Sequence, residues 1–455
     1  MTNRTLAEPP SAAPGRSLDE TLTVAAVLPR SQVRRRPWRD WTDRTWLRAL
    51  FVLALVVRLG FVLLPPIWNR SLRWGDEWTY DEIATTLLNK GYFGYAVGTV
   101  TLYRPPLYPA LMAAMYGIFG HNFPPLYVLQ ALCGAISALL VALIGRRVTG
   151  SLSVGLVAGV IFVFTPLLVY MTAVLYMETV YITLLLGVAL LWLKLVARPL
   201  PQNWPALAIG SGLLFGLSLL MRPTFFAFAP FFFVWAWAVL RRPGQAALVT
   251  TLVTVATFAV VLPWTYRNTK IRNGRGAVVL VSANGGINLF QGNNDSAKGR
   301  AGGALDLGEY PTLPNLTEAQ RDKVYARWGT NWIKSHPGEF LRRVPVRLWR
   351  FFSPLETGNN GQVSTKAAVV FFGLYAVYYV FALVGLARSV RNWRAWLLPY
   401  LLIAYSAALA GVTYGNTRFG LIVQPFIMLF VADALVAGWQ RLRARATAGP
   451  ATRAA

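Results

Sequence analysis

Residues 107–120 read LYPALMAAMYGIFG, an apolar run bounded by RPP at 104–106 and by HNFPP at 121–125. A helix needs roughly 20 residues to cross the hydrocarbon core, so this one is read as an interfacial helix and not as a crossing. Ten other runs are near spanning length: about 46–64, 125–145, 152–171, 177–197, 204–221, 223–240, 245–263, 367–387, 395–411 and 419–439. Ten crossings put both termini on one side. With the basic N-terminal tail placed inside, Arg146/Arg147, Lys194/Arg198, Arg241/Arg242, Arg388/Arg391/Arg394 and Arg441/Arg443/Arg445 all fall inside as well. Counting 107–120 as a span would export every later Arg pair.

Composition agrees with a lipid environment. Of the 455 residues 55% are hydrophobic and only 14% charged, against about 25% in soluble domains. The net charge of +26 comes from Lys and Arg clustered between apolar runs, the pattern of membrane loops and not of a nucleic-acid-binding surface. A single cysteine, Cys133, and two histidines, His121 and His336, exclude an internal disulfide and a His- or Cys-rich metal centre. Residues 1–45 read as a disordered basic cytoplasmic tail, 46–440 as one all-α polytopic membrane domain, and 441–455 as a second cytoplasmic tail.

Two large segments lie outside in this topology, about 65–124 and 264–366. Most of the informative charges collect at that face: Asp76 and Glu77 in WGDEWTYDEIA, Arg104 in YRPPLYP, Glu178 at the start of the fourth span, Arg222 in MRPT, Arg267 in PWTYRN and Arg418 in NTRFG. A charge at bilayer depth costs about 2.5 to 3.5 kcal/mol on insertion scales, so several on one side suggest an anionic ligand. Each also has a plainer reading. Asp76 and Glu77 suit the acidic start of a helix Tyr80–Leu88, Glu178 suits a helix cap, and a lone Arg is also a snorkelling anchor. Arg58, inside the first span, either snorkels or faces a polar cavity. The stretch VSANGGINLFQGNN (281–294), with Asn284, Asn288 and Asn293, suits a tight loop approaching a ligand or a solvent turn. Residues 317–352 have the spacing of amphipathic helices broken at Pro337 and Gly338, whose Arg342, Arg343 and Arg347 could meet anionic lipid or phosphate.

The ordered set GDEWTYDEIA (75–84), RPPLYPALMAAMYGIFG (104–120), YMETVYITLLL (176–186), MRPT (221–224), LPWTYRNTKIRNG (262–274), VSANGGINLFQGNN (281–294) and RFGLIVQPFIMLF (418–430) resembles the GT-C membrane glycosyltransferases. Within them it is similar to the bacterial branch around the protein O-mannosyltransferases (family 39) and the aminoarabinose transferase of lipid A. The usual ending of that branch keeps only Pro425 here. The resemblance implies a GT-C bundle of about ten helices in a bacterial cytoplasmic membrane, with both termini cytoplasmic and the active site outside. It further implies transfer of a sugar from a polyprenyl-phosphate donor, with inversion, to a protein, lipid or cell-envelope glycan. Asp76 takes the place of the base, with Glu77 as its neighbour or the ligand of a divalent cation; Glu178 is a second acid that orients sugar or acceptor. Arg104, Arg222, Arg267 and Arg418 take the place of phosphate contacts. The rival class is a polyprenyl-linked-sugar or lipid flippase, but transporters are usually built from repeated halves with broken, charged helices at mid-membrane, and neither is visible in this sequence.

Overall fold

Proline opens many of the helices, where its missing N–H costs nothing and its fixed φ suits the first turn. In a computed structural model the described residues are 37–447, excepting 70, 73–74, 272–277, 298–312, 314 and 354–364; residues 1–36, which hold most of the expected N-terminal tail, lie outside them. The helices run α1 (Pro37–Val62), α2 (Pro65–Trp68), α3 (Gly75–Lys90), α4 (Leu107–Phe119), α5 (Pro124–Thr149), α6 (Leu152–Phe164), α7 (Pro166–Tyr170), α8 (Glu178–Leu195) and α9 (Trp204–Met221). They continue as α10 (Ala229–Leu240), α11 (Pro243–Lys270), α12 (Gly285–Gly292), α13 (Glu318–Ser335), α14 (Pro337–Phe352), α15 (Thr365–Ser389), α16 (Trp393–Val412), α17 (Thr417–Gly420) and α18 (Gln424–Thr447). Between α3 and α4 a small hairpin pairs β1 (Gly94–Tyr95) with β2 (Thr99–Val100).

Each expected span is occupied by a helix. Seven segments are long and apolar enough to cross by themselves, and an eighth is if the bent pair α6–α7, angled at 61°, counts as one. One of the seven, Val369–Val412, is 44 residues and would be about 66 Å long if straight, twice the hydrocarbon core. It is two antiparallel helices. Tyr378 and Arg388 of α15 bond Gln424 and Asp433 of α18, so those two run parallel, whereas Trp396 near the start of α16 stacks on Phe430 and Gly411 near its end meets Arg347. The short α10 fills the remaining position. The described chain is therefore a polytopic helical membrane protein.

Lipid offers no hydrophobic drive between helices, so close contact must come from shape. A Cβ on Gly155 of α6 would sit 2.1 Å from the Ala142 carbonyl of α5, and one on Gly159 would sit 2.6 Å from Leu50 of α1. Glycines four residues apart let α6 press against both neighbours. Arg58 uses the same device: it is fully buried, its guanidinium over the Phe162 ring at 5.1 Å, in space that a Cβ on Gly134 would fill. It does not reach solvent: its Nη1 donates to the Ala54 carbonyl at 3.5 Å, and its Nε and Nη2 have no hydrogen-bond partner.

Helix α4 packs chiefly along α3, with few contacts to the long helices, and at 13 residues it is about 20 Å long. That agrees with an interfacial helix. Reporter fusions test it: those near Lys90 and Ser296 should report one side, and those after Arg147, Arg242 and Arg394 the other. Matching signals at Lys90 and Arg147 would mean that residues 107–120 cross the bilayer.

Candidate active site

Five charged side chains from five separate elements form one chain of ion pairs at one end of the bundle. Arg104 Nη2 donates to Asp76 Oδ1, and Arg418 Nη1 donates to Asp76 Oδ2. Arg418 Nε also donates to Glu178 Oε1, to which Arg222 Nη1 donates at 3.3 Å. Local structure supplies each member. Asp76 and Glu178 stand in the first turns of α3 and α8, where the helix dipole favours a carboxylate. Arg222 follows the last residue of α9, and Arg418 sits in α17, whose start is capped by Asn416 Oδ1 accepting from the Arg418 N–H at 2.7 Å.

Four aromatic rings that were not singled out in the sequence back the guanidiniums. Arg418 lies 3.9 Å over Tyr176, Arg222 4.3 Å over Phe419, and Arg104 4.9 and 5.0 Å over Tyr80 and Tyr103. Stacking leaves the planar donors aimed sideways and removes water from their faces. The neighbouring Tyr414 hydroxyl is pushed up to about 12 by burial, and burial also raises Tyr80 and Tyr103, so these rings stay neutral. In sequence such rings are indistinguishable from the many interfacial Trp and Tyr of a membrane protein.

The cluster is graded in exposure. Glu178 is 0% exposed, Arg222 10%, Arg418 12%, Arg104 13% and Asp76 28%, so a ligand arriving from solvent reaches Asp76 and its two arginines first. Within the cluster two polar atoms are buried with no hydrogen-bond partner, Glu178 Oε2 and Arg104 Nε. Burial alone would raise the Asp76 pKa, but the charges of Arg418 and Arg104 outweigh it and hold the carboxyl well below the usual carboxylate range.

The other expected site residues lie elsewhere. Glu77 is fully buried and points away, its Oε1 accepting from the Leu175 N–H at 2.8 Å, so it ties α3 to the turn before Glu178. With both Asp76 oxygens held by guanidiniums and Glu77 turned to a backbone amide, the pair does not converge on a divalent cation. Among the described residues no group of three or more His, Cys, Asp or Glu gathers to hold one. Arg267 donates to the carbonyls of Thr101 and Phe93, each at 3.2 Å. Asn293 is buried, donating to Leu289 and Val412 and accepting from Arg347, which is itself fully buried and also bonds Gly411 and Gly292. Arg347 thus fastens α14 to α12 and α16. Of its expected partners, Arg343 bonds Asn294 and Glu339, and Arg342 bonds the Gly338 carbonyl. Asn284 precedes α12, whose Gly286 has α13 so close that a Cβ would lie 1.9 Å from the Asp322 carbonyl. Gly286 serves helix contact. Of the three asparagines only Asn288 borders the cluster, accepting from Tyr414 at 3.5 Å.

Residues 103–266 match the family described as dolichyl-phosphate-mannose-protein mannosyltransferase, a window that holds Arg104, Glu178 and Arg222. Among solved structures, the oligosaccharyltransferase AglB of Archaeoglobus fulgidus, in complex with an inhibitory peptide and a dolichol-phosphate, superposes with a TM-score of 0.54 at 16% identity. The alignment covers 90% of this chain and 53% of AglB. The chain has the GT-C fold. An apo structure of the Archaeoglobus fulgidus enzyme agrees, with TM-score 0.54, 14% identity and coverage of 90% and 52%. ArnT of Cupriavidus metallidurans, bound to undecaprenyl phosphate, aligns at 15% identity over 86% of this chain and 78% of its own, with a TM-score of 0.42. The chain spans about half the length of AglB. No curated protein sequence matches it significantly.

Because the folded-state pKa of Asp76 is depressed, its ion pairs stabilise the protein above the unfolded value of about 3.9 and are lost as pH falls below it toward the folded value. The melting temperature of the purified protein should therefore drop as pH is lowered through 4, and Asp76→Asn should lessen that drop. An equal acid loss in both proteins would show that the Asp76 pairs contribute nothing.

Proposed function

We propose that this GT-C protein is an integral-membrane glycosyltransferase that takes a sugar from a polyprenyl-phosphate donor and passes it to an acceptor hydroxyl at the face carrying the cluster. The observation that carries this reading is the row Arg104–Asp76–Arg418–Glu178–Arg222, two fixed guanidiniums on an accessible carboxylate with a third behind them on Glu178. Arginine forks match phosphate oxygens, and a carboxylate beside them can take the proton of an attacking hydroxyl. In the reaction the acceptor oxygen bonds the anomeric carbon from the side opposite the phosphate, its proton passes to Asp76, and the carbon–oxygen bond to phosphate breaks with its electron pair. The configuration inverts. Charge that builds on the departing phosphate is met by guanidiniums already in place, so no general acid is needed.

In the free enzyme Arg104 and Arg418 bind Asp76 as they would bind a phosphate. An arriving donor competes for the same two arginines, and the carboxylate it releases becomes a stronger base. Glu178, held behind Arg418, keeps that arginine and Arg222 oriented while Asp76 lets go. The match to the mannosyltransferase family supports a lipid-phosphate-linked hexose, and the acceptor class is read only as a hydroxyl.

An apolar cavity of about 830 Å³ supports the lipid half of the donor. It lies between α14, α15, α16 and α18, walled by Trp349, Phe352, Tyr379, Leu383, Tyr400 and Phe430. Its Phe352 end adjoins Phe351, whose carbonyl is so near Gly420, two residues from Arg418, that a Cβ there would clash at 1.8 Å. From Phe372 to Leu386 the lining follows α15 for about 21 Å, most of the depth of a bilayer's hydrocarbon core.

Two experiments test the reading. In a donor-dependent transfer assay Asp76→Asn should abolish turnover while lipid-phosphate binding persists. Arg104→Lys should already be impaired, with the loss of one such donor costing on the order of 100- to 1000-fold in rate. Near-normal turnover by Asp76→Asn with loss in Glu178→Gln would move the base to Glu178. Filling the cavity by Ala382→Trp should raise KM for a full-length polyprenyl donor and leave that for a short-chain donor unchanged; equal effects on both would place the lipid elsewhere.

A further inference from the structure

The peptide bond between Thr101 and Leu102 is gripped at its two ends by opposite formal charges. Its carbonyl oxygen accepts from Arg267 Nη1 at 3.2 Å, and its N–H donates to Glu318 Oε2. A peptide is negative at oxygen and positive at N–H, so a cation at one end and an anion at the other both favour a single orientation of its plane. Glu318 Oε1 accepts a second bond from the Thr101 hydroxyl at 2.9 Å, and Arg267 Nη2 donates to Phe93 across the hairpin. Arg267 comes from the last turn of α11 and Glu318 from the first turn of α13, so two distant helices reach one peptide.

That peptide lies just ahead of Arg104. Thr101 and Leu102 are both fully buried, the Leu102 carbonyl accepts from Ala283 at 2.8 Å, and the Tyr103 N–H donates to Thr101 Oγ1 at 3.0 Å. Beyond Arg104 come Pro105 and Pro106, whose rings fix φ. The backbone that carries Arg104 is thus anchored immediately upstream and stiffened immediately downstream.

We propose that Glu318 and Arg267 are positioning residues that hold Arg104 in place for a phosphate by orienting the Thr101–Leu102 peptide. The proposal rests on Arg104 contacting the donor phosphate. Neither residue touches the phosphate itself; each acts through a peptide plane, and a tilt there is passed to a guanidinium whose two bonds demand fixed geometry.

The test measures undecaprenyl phosphate binding by the full-length protein in lipid nanodiscs, with melting temperature as the check on folding. Glu318→Ala and Arg267→Ala should each weaken binding roughly tenfold, about 1.4 kcal/mol. Glu318→Gln, which keeps one acceptor oxygen for the Leu102 N–H but replaces the other with a donor NH2 and lacks the charge, should fall between Glu318→Ala and wild type. Combined with Arg104→Ala, Glu318→Ala should add no further loss, because its effect passes through Arg104. Additive losses, or wild-type binding by folded Glu318→Ala, would overturn the proposal and leave the role of Arg104 intact. Wild-type binding by Arg104→Ala would instead overturn the phosphate reading and the proposal together. Should Glu318→Ala not fold, Glu318→Gln with and without Arg104→Ala decides by the same criterion.

Discussion

Arg418 bonds two carboxylates at once, and the arrangement of that whole end of the bundle follows from it. Its Nη1 goes to Asp76 and its Nε to Glu178, residues far apart in the chain, brought together by an arginine that arrives near its end. Taking such charges out of water costs several kcal/mol per ion, repaid only if every partner is present in good geometry. The cluster is therefore cooperative: α3, α8 and α17 are each the condition for burying the others' charge. Removing one member of a buried pair typically costs about 3 to 5 kcal/mol because the survivor stays buried and unpaired.

The remainder of that end of the bundle supports these bonds. Helix α17 is held in place by α14, whose carbonyls at Arg347 and Phe351 stand where Cβ atoms on Gly415 and Gly420 would be, 1.8 Å away in both cases. Helix α14 is in turn fastened by the Arg347 guanidinium to carbonyls of α12 and of the end of α16. Opposite, Glu77 bonds the Leu175 amide and so fixes the turn bearing Tyr176, on which Arg418 stacks. Backbone contact, buried arginine and buried acid all serve to keep one guanidinium still.

The long apolar helices, and the shortness of the one at 107–120, were legible because lipid imposes length and apolarity on every span and charge on every loop. Asp76, Arg104, Glu178, Arg222 and Arg418 were legible as a set because each is a charge at the same membrane face, and they meet in one row of bonds. Arg267 and Arg347 carry the same sequence signal and do a different job. An arginine beside a span looks alike whether it bonds phosphate or carbonyls, and only the packing of distant loops decides which. For the same reason VSANGG reads equally as a ligand loop or a solvent turn, whereas Gly286 is required by the approach of α13. Glu77, adjacent to Asp76, illustrates helical geometry: neighbours on a helix point about 100° apart, so one faces the cluster and the other the wall.

On the proposed reading, the clamp on Asp76 couples two requirements that ordinarily conflict. A base must be free to accept a proton, yet a free carboxylate between two arginines would repel the incoming phosphate. Bonded to Arg104 and Arg418, Asp76 has its charge neutralised and its proton affinity held low, so it neither repels the donor nor activates stray water. The donor phosphate then takes up the same guanidiniums, and the carboxylate recovers basicity only where a substrate is bound. Glu178 cannot substitute for it in this exchange, since it is fully buried and its released oxygen would have no solvent path. The two acids therefore divide the work by depth, the exposed one exchanging partners and the buried one holding Arg418 and Arg222 while it does so.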